Sequence, residues 1–442
     1  MAHHKFVDLF AGCGGLSLGL SMAGLGGVFA IEKDPMAFET FSANFLGKRK
    51  LPVRKFVWPV WLEQKAWGID DLLDEHRSQL HNLKNEIEIL AGGPPCQGFS
   101  FAGRRQESDP RNLLFERYVE VVDAIRPSAL ILENVPGMKV AHATKTDCGS
   151  RQQASESYYE KLKRSLEAIG YNVHCELMDA SRFGVPQKRS RLIVLGLENS
   201  ISAKLDGGVQ RVFQLLEEKR KEQLSEFRLP ETVTASDAIS DLHTDHSLRQ
   251  PCADPYSPSG FEEAVYLGPD TRYQKLMNKN CGKDAMDSMR LARHRQEVRE
   301  RFARILNECK AGVLMDKESR ERFGLKKHRI YLMSRNLPAP TITTLPDDVL
   351  HYSAPRILTV RESARIQSFP DWFRFSGKFT TGGSMRSQEC PRYTQVGNAV
   401  PPFLARAIGL AVTAALSEAS LSEKPNFRES FPTAQEELIT AI

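Results

Sequence analysis

The chain has 442 residues, 41% of them hydrophobic and 26% charged, enough apolar material for a large core split over two domains and unlike a disordered or fibrous chain. No apolar run reads as approaching the roughly 20 residues of a bilayer span, and Met1–Asp8 lacks a secretory layout, so the expectation is a cytoplasmic protein with no membrane partner. Eight cysteines without CxxC or Cys/His spacing argue against structural zinc and a disulfide framework, and a formal net charge of +5 is too small to mark a nucleic-acid binder by itself.

In chain order, Lys5–Phe10 is a short apolar run containing Asp8, followed by the glycine turn Ala11-Gly12-Cys13-Gly14-Gly15 and an apolar-periodic stretch through Met22: strand, turn, helix. Val28–Ile31 predicts a second strand, and Asp34-Pro35 caps and opens another helix. Strands follow at Ile87–Ala91, Ala129–Leu132, Val173–Leu177 and Leu192–Leu197, with helices at Asn112–Ile125 and Tyr158–Ile169. This alternation implies an α/β fold with a doubly wound, mostly parallel, Rossmann-like sheet and helices on both faces. From Ser200 to about Pro338 the pattern dissolves into charge-rich helical pieces, Phe213–Phe227 and Met289–Asn307 among them, which read as a second, smaller domain. Between Thr271 and Ile330, 17 Lys/Arg stand against 8 Asp/Glu, a net of +9. Alone this could be a solvated helical surface; beside the motifs below it points to phosphate contact. Ordered signals return over Thr341–Leu416, and the tail after Ser417 is polar.

Four blocks carry chemistry. In Asp8-Leu9-Phe10-Ala11-Gly12-Cys13-Gly14-Gly15, glycines after a strand let a ligand approach the backbone, and Glu32, at the end of the next strand, can accept from ribose hydroxyls. The loop is not the GxGxxG that holds a pyrophosphate, which favours S-adenosylmethionine over a dinucleotide. In Gly92-Gly93-Pro94-Pro95-Cys96-Gln97-Gly98, two prolines hold Cys96 in a rigid turn at the carboxyl edge of the sheet, where a nucleophile belongs. Glu133, in Leu132-Glu133-Asn134-Val135, ends a buried strand at the same edge, where partial burial favours a protonated carboxyl able to donate to a ring nitrogen. In Gln187-Lys188-Arg189-Ser190-Arg191, alternation puts Arg189 and Arg191 on one strand face, converging on a carbonyl or phosphate.

In order and spacing these blocks resemble those of the cytosine-C5 DNA methyltransferases, bacterial modification methylases included. Two later blocks are similar as well: Arg361-Glu362-Ser363-Ala364-Arg365-Ile366-Gln367-Ser368-Phe369-Pro370 and Tyr393-Thr394-Gln395-Val396-Gly397-Asn398-Ala399-Val400-Pro401-Pro402. The resemblance implies a sequence-specific enzyme that transfers a methyl group from S-adenosylmethionine to C5 of a flipped cytosine through a covalent Cys96 adduct. Glu133 is then expected at N3, with Arg189 holding the O2 side and Arg191 as a further catalytic residue on the same face. The implied cofactor pocket comprises Phe10 on the adenine, Gly12 and Gly14 under the methionine, Glu32 on the ribose, and Pro95, Leu114 and Asn398 along the ligand. Asp70 is the best match to the acid at the adenine amine, while Lys33 departs from the apolar residue that place can hold. Residues 97–111 are expected to close over the base.

The resemblance also implies a cofactor-binding and catalytic domain over 1–199, target recognition and hinge over 200–385, a helix returning over 386–420 and a tail over 421–442. The implied partners are double-stranded DNA and a companion restriction endonuclease, with the enzyme a monomer at the bacterial nucleoid. A tRNA cytosine-5 methyltransferase and a non-catalytic DNA-binding protein of the same fold are the alternatives; the basic insert weighs against the first, and the presence of Cys96 and Glu133 against the second.

Overall fold

Lys5–Leu9 alternates sharply: Phe6 joins one apolar cluster and Val7 and Leu9 another, which fixes the segment as β1, a strand buried on both faces. The computed structural model describes residues 4–95, 114–140, 156–242, 249–282, 286–327, 329–382 and 389–422. β2 (Gly26–Ile31), β3 (Ile89–Gly92), β4 (Ala129–Asn134), β5 (Tyr171–Asp179) and β6 (Ser190–Glu198) complete a six-stranded sheet of order β2-β1-β3-β4-β6-β5. Neighbours from β2 to β4 pair parallel, while β6 runs antiparallel to both β4 and β5 and is the one reversed strand.

Helices α1 (Gly15–Met22) and α2 (Pro35–Phe45) cover the Phe6 face. Helices α3 (Ile69–Asn82), α4 (Leu114–Ile125) and α5 (Tyr158–Ala168) cover the Val7 face. Asp34 caps α2 as its sequence predicts, accepting from the amides of Met36 and Ala37 with Pro35 at the first helical position. Helix α3 went unread in the sequence, although Ile69, Leu72, Leu73 and Leu80 mark its buried stripe.

The later helices are α6 (Asn199–Ser202), α7 (Gln210–Phe227), α8 (Ala235–Ile239), α9 (Arg272–Asn278), α10 (Gln296–Glu308), α11 (Lys317–Arg322), α12 (Val360–Ile366), α13 (Arg392–Asn398) and α14 (Pro402–Leu421), with short strands β7 (Arg249–Pro251), β8 (Glu262–Ala264), β9 (Tyr331–Leu332) and β10 (Val349–Leu350) between them. The helix expected from Met289 begins only at Gln296. Arg290 bridges Glu263 and the Leu291 amide donates to the Glu262 carbonyl, so Met289–Leu291 is an extended strip beside the β7–β8 hairpin. Helix α7 lies on α14: the Gln223 side chain donates to the carbonyls of Phe183 and Phe403, and Arg406 meets Gln223 and Glu226.

Helix α14 is apolar and long, but it is a core helix, packed between α1 and α7. Its approach to α1 depends on missing side chains. A Cβ at Gly15 would stand 2.4 Å from the Val400 carbonyl oxygen, and one at Gly19 2.3 Å from the Ala405 Cβ. Replacing an ordinary helical glycine by alanine stabilises by about 1 kcal/mol. At position 19 overpacking reverses the sign, and Gly19→Ala is expected to lose about 1–3 kcal/mol, read as a lower urea midpoint at unchanged slope.

Candidate active site

The turn after β1 is built on left-handed backbone: Phe10 has φ 60°, Gly12 φ 56° and Gly14 φ 93°. At Gly14 the requirement is also spatial, since a Cβ would lie 2.5 Å from Phe45. The turn is tied to the end of β2. Ala11 donates to the Ile31 carbonyl (2.9 Å), and the Glu32 carboxylate accepts from the amides of Gly12 (2.9 Å) and Asp34 (2.8 Å). Burial raises the pKa of Glu32 against these amides. The Trp67 amide donates to the Glu32 carbonyl (2.9 Å), which brings the start of α3 to the same edge. Asp70 stands there exposed in the first turn of α3, paired with Arg117 of α4 at 2.7 Å. Leu114 opens α4 and is partly buried, and Asn398 ends α13 with its side chain exposed. The thiol of Cys13 reaches the Gln395 carbonyl at 3.6 Å, so the block containing Asn398 abuts the glycine turn.

At the neighbouring strand ends, β3 delivers Gly93, Pro94 and Pro95; Cys96 and the expected closing loop 97–111 lie outside the described residues. Asn134 holds this approach, its amide nitrogen donating to the Pro94 carbonyl (3.0 Å) while its oxygen accepts from the Val135 amide (2.8 Å). Glu133 sits beside it, one carboxylate oxygen 3.7 Å from where a Cβ on Gly93 would be. Glu133 faces Ile193 across the antiparallel β4–β6 pair, so Arg191, two residues earlier, is its diagonal neighbour on the same sheet face. Arg191 Nε meets Glu133 Oε1 at 2.7 Å, with only 13% and 11% of the two side chains exposed.

Arg189 does not join that pair. It precedes the strand, and its guanidinium donates to the carbonyls of Ile342 (3.0 Å), Gly397 (2.9 Å) and Ala399 (3.1 Å). The convergence expected of Arg189 and Arg191 on a substrate oxygen is therefore corrected: Arg189, fully buried, clamps the returning C-terminal segment, and Arg191 alone reaches the carboxylate. Burial and then the like charge of Arg191 depress the pKa of Arg189 well below its usual range.

Sequence reading passed over Asp8. Its side chain lies on the α1 face of the sheet between Ala30 and Ala91, residues too small to answer it. Ser17 donates to one oxygen at 2.5 Å, and the other has no hydrogen-bond partner among the described residues. Burial pushes this carboxyl up to about 7. An acid whose folded pKa is raised costs the native state stability as pH climbs from the ordinary value near 3.8 to about 7, at most about 4 kcal/mol. Asp8→Asn removes that titration, and its stability relative to wild type is expected to rise across that window and level off above it. Parallel melting-temperature profiles from pH 4 to 8 would contradict this.

A family model described as C-5 cytosine-specific DNA methylase matches residues 4–414. The chain is 31% identical to the type II methyltransferase M.DdeI of Desulfomicrobium norvegicum, over 91% of this chain and 87% of that protein. It is also 31% identical to M.XorII of Xanthomonas oryzae pv. oryzae, over 95% and 86%. Among solved structures, a putative DNA modification methyltransferase encoded within an E. coli prophage superposes with TM-score 0.60 at 24% identity, covering 94% of this chain and 99% of that one. Dnmt2 of S. pombe superposes with TM-score 0.50 at 16% identity, covering 95% and 100%. Both structural likenesses show the α/β fold. The glycine turn, the Glu32 carboxylate that braces it and the Glu133–Arg191 pair thus belong to a doubly wound methyltransferase sheet. The chain is a member of the C-5 cytosine-specific DNA methylase family, a DNA cytosine-5 methyltransferase.

Proposed function

We propose that the chain methylates C5 of one cytosine within a defined duplex sequence, using Cys96 as nucleophile, and serves as the modification partner of a restriction endonuclease. The observation that carries this is the Glu133–Arg191 pair beside the Gly93-Pro94-Pro95 approach, one residue from Cys96. C5 of cytosine is a weak nucleophile. Attack of the Cys96 thiolate on C6 forms an S–C6 bond and moves the C5=C6 electron pair onto C5, which can then take a methyl group. Glu133 hydrogen-bonds at N3 as charge shifts there, and Arg191, held by Glu133, reaches O2. Loss of the C5 proton restores the double bond and expels the thiolate. Cys13 and Cys390 fit the task poorly, since burial pushes the Cys13 thiol up to about 12 and raises that of Cys390 as well.

Members of this family use S-adenosylmethionine, and the residues at the β1 edge fit it: Gly12 presents bare backbone to open space, with nothing within 4 Å of where its Cβ would be. Glu32 would hold the ribose, Phe10 the adenine, Gly12 and Gly14 the methionine portion, and Pro95, Leu114 and Asn398 the flank. Asp70, paired with Arg117, would have to exchange partners to reach the adenine. When bound, this group supplies an electrophilic methyl on a sulfonium. Because C6 is shielded in the duplex, the cytosine must swing out at a cost of a few kcal/mol, offset by contacts with the protein. Target recognition is assigned within 200–385, in the part that follows α7.

Cys96→Ser is expected to abolish transfer of a labelled methyl group to duplex DNA while cofactor affinity changes by less than about twofold; methylation surviving the substitution refutes the mechanism. Glu133→Gln should slow turnover by about a hundredfold or more, measured in single-turnover assays.

A further inference from the structure

A cleft of about 470 Å³ opens in the second region between the β7–β8 hairpin, the segment leading into α10 and residues 353–356, and it shares no lining residue with the site above. Four arginines line it, Arg249, Arg293, Arg299 and Arg356, against one carboxylate, Glu262. Two of them are answered internally. Arg356 forms a two-pronged pair with buried Glu362, both contacts 2.7 Å, and Arg249 pairs with Glu262 at 3.3 Å. Arg293 and Arg299 are exposed, and neither meets a carboxylate among the described residues. His294, between them, accepts the Ile357 amide on Nε2 at 3.3 Å; burial first, then Arg356 and Arg299, lower its pKa. The surplus charge is therefore carried by two guanidiniums. Helix α10 starts at the same place with no side-chain cap on its N-terminus, adding the positive end of its dipole. The cleft wall is stiff: behind Leu291, Arg290 is sandwiched between Phe261 at 4.1 Å and Phe379 at 4.2 Å.

We propose that this cleft seats backbone phosphates of the duplex that carries the target cytosine, with Arg293 and Arg299 neutralising them, an assignment that rests on the reading of the chain as a DNA methyltransferase. Reading a base edge demands a guanidinium whose fork is held in one orientation; among the described residues Arg293 lies over the Phe261 ring at 5.9 Å, and no carboxylate fixes the fork of Arg293 or of Arg299. A phosphate accepts a guanidinium from many directions. The cleft thus supplies affinity and register, and sequence choice comes from other side chains.

The test uses the full chain, duplex DNA that the wild type methylates, and the variants Arg293→Gln, Arg299→Gln and both together. Each single change is expected to weaken binding to methylated-site and unrelated duplexes alike, and to reduce the slope of log affinity against log salt by about 1. The methylated cytosines, mapped by bisulfite sequencing, should stay the same, and cofactor affinity should not move. Arg293→Lys and Arg299→Lys should restore the slope, separating charge from folding. Unchanged slopes overturn the proposal, and so does a change in which cytosines are methylated, since that would make these residues base readers. Displacement of duplex by inorganic phosphate at constant ionic strength would make the cleft a small-anion site. A wild-type enzyme that binds duplex but methylates none would sink the underlying reading, while the salt slopes of the variants would still decide the phosphate seat.

Discussion

Backbone-to-backbone approach between α1 and the returning C-terminal segment is the constraint on which the site depends. Gly15 and Gly19 leave α1 bare on one side, and Val400, Pro402 and Ala405 occupy the vacated space. On the facing side, a Cβ at Gly397 would stand 2.3 Å from the Thr343 carbonyl oxygen. Helix α1 begins at the glycine turn and α13 ends at Asn398, so a contact of this closeness also fixes how near Asn398 stands to the turn. A methyl group added anywhere along the seam would displace the backbone of the glycine turn as well as core.

The second region is fastened by charges largely withdrawn from water. Arg365, on the wholly buried α12, lies between Asp371 (2.6 Å) and Asp241 (2.9 Å), all three side chains unexposed. Arg361 meets Asp287, and Arg392 forks onto Asp254. Such pairs contribute little net stability over apolar packing, because desolvation offsets the attraction, but an unmatched partner would cost several kcal/mol. They therefore act as registration pins. Each arginine lies on α12 or α13 and each acid, Asp371 apart, on the 241–287 segment, so these pairs fix how that segment docks on the two helices.

Much of this was legible in the sequence, for physical reasons. Strands of a sheet covered on both faces show as unbroken apolar runs, and the cap at Asp34-Pro35 shows as two residues. Helix α3 was missed although its spacing is helical, because the tryptophan-rich stretch before it has no period: Trp58 and Trp67 bond locally to the carbonyls of Leu62 and Glu63. Met289–Leu291 alternates like a strand but sits among arginines that suit a helix, and only the hairpin beside it decides. Arg189 and Arg191 share a face if the strand includes both. It starts at Ser190, and one residue of boundary separates an arginine beside the site from one that clamps the C-terminus. Asp8 looked like one polar residue in an apolar run, and its isolation comes from Ala30 and Ala91, neighbours from other parts of the chain.

Because α14 fills a groove between α1 and α7, two earlier helices wait for one made much later. During synthesis the sheet emerges from the ribosome with that groove still open and its apolar lining facing water, and closure comes only after some four hundred residues have been translated. Nascent chains of this kind invite chaperone capture, and a ribosome stalled shortly before α14 would release an aggregating fragment instead of a smaller enzyme. For a DNA cytosine-5 methyltransferase, that delay keeps the fold open until α14 has been made.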